Sequence, residues 1–393
     1  MAERNLDFDR IISRKNTRSV KYDLAARKGY PEDILPLWVA DMDFRTSSYV
    51  EDALGELTRH NIYGYSNTLP GDGFFEAVSG WMKRHHGWDV DPEWHVKTPG
   101  VCFAVSMAIR AFTEPGDAVI IQEPVYYPFS SLIRQNGRKV VSSDLVPDAE
   151  GNYSMDPEDF ERKVAEHHVK LFILCSPHNP VGRVWTGDEL RTIGRICASH
   201  GVIVFSDEIH SDFVWKGEHS VFQEADPSFR EFTVTATAPS KTFNLAGLQQ
   251  SNIFIPNPGL RRGFAEEISR TGFDEPTVFG IAAAQAAYEN GDTWYAAMKT
   301  YVRDNIRFAD EFVRERLPGV RMNQPEGTYL IWLDFRGTGM DAAELDDVIL
   351  RKARLWLDSG SMFGKAGEGF QRINTACPRS ILREAMERLE SVL

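Results

Sequence analysis

Between residues 100 and 255 the chain repeats one pattern: short β-rich runs separated by helical stretches. The runs are AVII (118–121), KVVSS (139–143), LFILC (171–175), VIVFS (202–206), FTVTAT (232–237) and NIFI (252–255). Several are apolar throughout instead of alternating, as expected of strands covered on both faces. The intervening stretches carry helix signals. Asp156, Pro157 and Asp159 open one helix, with proline in the first turn and acids near the N-terminal dipole. Thr186 and Glu189 have capping-box spacing for a helix ending near Gly201. Upstream, DGFFEAVSGWMKRHHG sets Phe74, Phe75, Val78, Trp81 and Met82 on one helical stripe. Alternation of this kind predicts an α/β fold with a mainly parallel sheet. The C-terminal third reads differently: a long helix (292–316), a strand-like TYLIWLDF (328–335), a helix near 341–353 and a last helix from about 379. The expected division is a large α/β domain over 50–290, and a smaller α+β domain built from 1–49 plus 291–393.

Bulk properties narrow the function. A chain of 393 residues exceeds one core of usual size. A formal net charge of −13 argues against a nucleic-acid partner, which requires a basic footprint. No apolar run approaches the ~18 residues of a membrane span, and MAERNLDFDR is too charged for a signal peptide. Four scattered cysteines show no zinc-type spacing, so no metal is expected, and free thiols suit a reducing compartment. A cytoplasmic location is the expectation.

In open α/β sheets, ligands bind beyond the carboxyl ends of the strands. Three strands deliver polar residues there: LFILC leads to Asn179, VIVFS to Asp207 and His210, FTVTAT to Ser240 and Lys241. Singly, each has a plain structural reading: a solvated lysine, a helix cap, an Asn-Pro turn. Together they match the needs of pyridoxal phosphate. An amine forms a Schiff base, a carboxylate partners the ring nitrogen, and an amide meets the ring oxygen. For the phosphate, TPGV opens a helix at Gly100, where the N–H groups of Val101 and Cys102 favour an anion and the Ser240 hydroxyl adds a donor. Tyr126, in EPVYYPF, is a candidate to lie against the ring.

The motifs LPLWVADMDF (35–44), YGYS (63–66), PVYYPF (124–129), SPHNPVGRVW (176–185), SDEIHSD (206–212), PSKTFNLAGLQ (239–249), GTYLIWLD (327–334) and GEGFQRINTACPRS (367–380) together resemble a fold-type I pyridoxal-phosphate enzyme. The family is the aminotransferase class I/II superfamily, and the nearest likeness is to its cystathionine β-lyase (C–S lyase) branch of MalY/PatB type. The resemblance implies Lys241 as the Schiff-base lysine, Asp207 at the pyridine nitrogen, Asn179 at the ring oxygen and Tyr126 on the ring. It places the phosphate on Val101, Cys102 and Ser240. His210 stands where relatives commonly carry tyrosine. Arg372 would bind the substrate α-carboxylate, and Tyr65 would reach the site of a neighbouring subunit in a homodimer. Gln249 replaces an arginine, and Ala238 a serine or threonine, that many relatives use near the phosphate.

The implied activity is α,β-elimination of L-cystathionine or a related cysteine S-conjugate, within amino-acid metabolism and methionine biosynthesis. Transamination by the same residues is the alternative, and a regulatory protein-binding role the next. Substrate side-chain recognition is expected around Asp43, Phe44, Ser361 and Met362. Trp38 and Trp332 are expected to pack rather than to line the pocket.

Overall fold

The computed structural model describes residues 2–393. Seven strands form the main sheet: β1 (His95–Thr98), β2 (Ala118–Ile121), β3 (Lys139–Ser142), β4 (Leu171–Cys175), β5 (Ile203–Asp207), β6 (Thr233–Thr237) and β7 (Ser251–Phe254). Their spatial order is β1-β7-β6-β5-β4-β2-β3. Strands β2 to β6 are mutually parallel, while β7 runs antiparallel to both β6 and β1.

Burial explains the all-apolar strands. Leu171, Ile173 and Cys175 of β4 enter a core beneath helices Val101–Phe112 and Pro258–Ser269. Phe172 and Leu174 face the opposite core, with Phe160 and Val164 from helix Pro157–His167 and Leu190 and Ile193 from helix Gly187–His200. Successive side chains point to opposite faces, so a strand covered on both must be apolar at every position. Each such side chain contributes roughly 1.5–3 kcal/mol on burial. The expected caps are present: Asp156 accepts from Glu158 and Asp159, and Thr186 with Glu189 closes a capping box.

A second, antiparallel sheet is built from β8 (Arg321–Met322), β9 (Leu330–Asp334), β10 (Asp358–Ser359) and β11 (Phe370–Asn374), in the order β8-β9-β11-β10. Helices Asp292–Arg316 and Arg379–Glu390 share its core with Leu37, Met42 and Phe44 from the N-terminal segment. Helices Val278–Asn290 and Asp292–Arg316 break at Gly291, where a Cβ would collide with the Phe243 ring and the Ala287 carbonyl.

Three details differ from expectation. Strand β1, sequence HVKT, carries no apolar run. The strand expected at 202–206 runs one residue later, so Asp207 ends it. The helix expected near 341–353 divides into Ala342–Asp347 and a wider π-helical turn at Val348–Lys352. Trp332 does pack, stacked on Phe370 at 4.9 Å, and Trp38 stacks on Trp356 at 4.2 Å.

Candidate active site

Sheet register assembles the site. Cys175 lies opposite Asp207 and Asp207 opposite Ala236, so β4, β5 and β6 end side by side and their following turns share one edge. Thr98 pairs with Ser251, which brings the end of β1, and hence Gly100, to the same edge. There a cavity of about 180 Å³ is lined by Val101, Cys102, Tyr126, Asn179, Asp207, His210, Ser240 and Lys241.

Asp207 is buried. One of its oxygens accepts from the Ile209 N–H at 3.1 Å; the other has no hydrogen-bond partner among the described residues. Burial pushes its carboxyl up to about 7, against the pull of Lys241. Lys241 closes a short helical turn, Pro239–Thr242, and donates from Nζ to the Ala40 carbonyl at 2.7 Å. Burial lowers the amine below its ordinary range, while Asp41 opposes the shift. The buried Asn179 accepts at Oδ1 from Arg372 at 2.9 Å, and its Nδ2 donor has no partner among the described residues. His210 is also buried, with Nδ1 unpartnered, and burial holds the imidazole neutral.

The helix Val101–Phe112 begins at the cavity wall without a side-chain cap, and its first N–H groups have no intrahelical acceptor. Tyr126 lies 4.0 Å from the Cys102 sulfur, and burial raises its phenol. Gln249 and Gln250 line the same cavity. Gln249 occupies the position at which an arginine was expected in relatives, and Gln250, buried with Oε1 unpartnered, went unnoticed in the sequence because an amide after GLQ carries no pattern.

These features fit pyridoxal phosphate. An unpaired buried carboxylate, a free amide donor, an amine of lowered basicity and an uncapped helix N-terminus are the groups that ring nitrogen, ring oxygen, aldehyde and phosphate require. Among the described residues, no group of three or more His, Cys, Asp or Glu side chains could hold a metal ion.

Three expected residues stand apart from this cavity. Arg372, in the middle of β11, is buried and ion-paired with Asp358; it also donates to the Trp38 carbonyl at 2.8 Å. Its Nε has no hydrogen-bond partner among the described residues. Asp43 does not offer a free carboxylate to a substrate. Its oxygens are taken by Arg14 at 2.8 Å and by the fully buried Lys21 at 2.7 Å. Tyr65 is fully exposed and does not line this chain's own cavity.

The family model for aminotransferases of class I and II matches residues 32–389. Cystathionine beta-lyase PatB of Bacillus subtilis (strain 168) is 43% identical over 389 residues, covering 99% of this chain and 100% of that protein. Among solved structures, cystalysin from Treponema denticola, which contains pyridoxal 5'-phosphate, superposes with a TM-score of 0.94 at 38% identity, over 98% of each chain. The pyridoxal-phosphate-bound C–S lyase from Staphylococcus hominis gives a TM-score of 0.91 at 32% identity, again over 98% of each chain. Among the described residues, no helix is long and apolar enough to cross a membrane.

Proposed function

The chain belongs to the aminotransferase class I and II family, and on that premise we propose that it is a pyridoxal-phosphate-dependent C–S lyase. It cleaves the Cβ–S bond of L-cystathionine or a related cysteine S-conjugate by α,β-elimination, giving thiol, pyruvate and ammonia. The observation that carries this reading is that Lys241 and a buried Asp207 with one free oxygen line one cavity, in a chain alike over its full length to a cystathionine beta-lyase.

When bound, the cofactor supplies an aldehyde that takes up the amino nitrogen and a protonated ring that accepts electron density from Cα. The chain's own residues do the rest. Lys241 would hold the aldehyde, and its amine would take the Cα proton. Its amine is suited to that step because burial lowers its basicity and favours the neutral form. Asp207 would pair with the ring nitrogen and favour its protonated form, and its own charge would be stabilised in return. Asn179 would donate to the ring oxygen from Nδ2, while its Oδ1 accepts from Arg372. Arg372, held by Asn179 and Asp358, is the guanidinium assigned to the substrate α-carboxylate, whose planar shape such a group suits. Val101, Cys102 and Ser240 would hold the phosphate, Tyr126 would cover the ring, and neutral His210 would complete the ring pocket.

The wider assembly is part of the same reading. The enzyme is a homodimer in which Tyr65, flanked by exposed Ile62, Tyr63 and Leu69, enters the partner's site. The large domain is 50–290 and the small one 1–49 with 291–393. The enzyme works in the cytoplasm on sulfur amino acids, within methionine biosynthesis where cystathionine is the substrate.

The test is incubation of the holoenzyme with L-cystathionine and no keto acid. Sustained release of pyruvate and thiol in equal amounts is expected. Turnover that stops after one equivalent and resumes only with added keto acid would identify an aminotransferase instead.

A further inference from the structure

A second cavity, of about 650 Å³, adjoins the first and shares Ala40, Lys241 and Ala246 with it. Its ionisable lining is Arg14, Arg18, Arg45 and Lys241 against Asp41 and Asp43. The two carboxylates are already neutralised. Arg14 forks across Asp41 at 3.0 and 2.6 Å and reaches Asp43 at 2.8 Å, while Lys21 meets Asp43 from behind at 2.7 Å. Two cations thus balance two anions in that layer. Arg18 and Arg45 are surplus: both are exposed, and neither guanidinium has an ion pair or hydrogen bond among the described residues. Lys241 is committed to the chemistry at Cα.

We propose that this second cavity receives the thiol half of the substrate and selects conjugates whose departing thiol carries a carboxylate, read by Arg18 and Arg45. The inference rests on the lyase reading above. The cavity opens on the amine that takes the Cα proton, so a substrate presenting Cα to Lys241 extends its far end toward this space. Ile12, Val20 and Phe44 give the carbon chain an apolar path along the wall. Two unpaired guanidinium groups at its rim suit a planar carboxylate, which they bind through paired N–H donors. A neutral thiol leaves both arginines merely solvated, and a cationic one is repelled. No lining carboxylate is free to favour an amine, because Asp41 and Asp43 are both engaged.

The test separates recognition from chemistry. The holoenzyme is titrated calorimetrically with two sulfur-free analogues of S-carboxyethyl-L-cysteine, each carrying a methylene in place of sulfur. One ends in the carboxylate, the other in the isosteric amide. The acid is expected to bind about tenfold more tightly, since each exposed ion pair commands up to about a fivefold change. That advantage shrinks as salt is raised, and it disappears in the Arg18→Gln/Arg45→Gln double variant, whose substitutions lie at exposed positions and leave the core intact. Equal binding of acid and amide by the parent protein overturns the proposal. So does a preference that survives both substitutions or ignores salt. Release of thiol from the sulfur-containing conjugates is followed in parallel and judges the lyase reading by itself.

Discussion

Replacing Asp207 by asparagine should stabilise the cofactor-free protein while crippling the enzyme. The cause is the cost of burying a carboxylate with one oxygen unpartnered, which raises its folded-state value from 3.8 to about 7. In the unfolded chain the group titrates at its ordinary value. Between pH 4 and 7 the folded protein therefore holds a proton that the unfolded chain has lost, and stability falls as pH rises through that window. A rise of about three pKa units corresponds to roughly 4 kcal/mol of lost stability, fully expressed above pH 7 and absent below pH 4. Asparagine has the same shape and no charge, so it recovers a large share of that amount, about 2–4 kcal/mol at pH 8. Urea unfolding of the two cofactor-free proteins at pH 5 and pH 8 measures the difference. The variant should gain more at pH 8 than at pH 5. Adding pyridoxal phosphate should then raise the parent's stability more than the variant's, because only the parent offers a charge to the ring nitrogen. A variant no more stable than the parent at pH 8, or a gain independent of pH, would refute the account of Asp207 as an unpaired buried acid awaiting a cationic partner.

Other consequences follow from single contacts. Arg372→Met should destabilise the fold by about 3–5 kcal/mol, because it leaves Asp358 buried without its cation; chemical denaturation checks this, and a change below about 1 kcal/mol would mean that the pair is dispensable. Mixing inactive Tyr65→Ala with inactive Lys241→Ala protein should restore about a quarter of parent activity, as expected when half the dimers are hybrids and half the hybrid sites are intact. No recovery after subunit exchange would place Tyr65 outside the partner's site.

The strands were the most readable part of the fold. Burial on both faces writes itself into LFILC and AVII, where every residue feeds one of two cores. Strand β1 was unreadable for the opposite reason: His95, Val96 and Lys97 are only half-buried at the sheet edge, and the strand is held by register with β7. The FQRIN strand was read for its arginine, although its β-sheet partners lie on both sides of it in the C-terminal region. At the site, the turns after β4, β5 and β6 could be aligned because parallel strands end together. The ion pairs of Asp43 were not legible. Its partners, Arg14 and Lys21, come from a segment that reads as ordinary polar surface, yet Lys21 is fully buried. Side-chain partnerships between distant segments leave no periodic trace, and the two unpaired arginines of the second cavity escaped notice for the same reason.

The most direct measurement compares thiol release from L-cystathionine by the parent enzyme and by Lys241→Ala at matched cofactor content. If Lys241 takes the Cα proton, the variant loses at least about 10³-fold in rate, within the range expected for removal of a positioned base. Release of thiol by the variant at the parent rate would contradict the role given to Lys241, and with it the elimination chemistry assigned to this cavity.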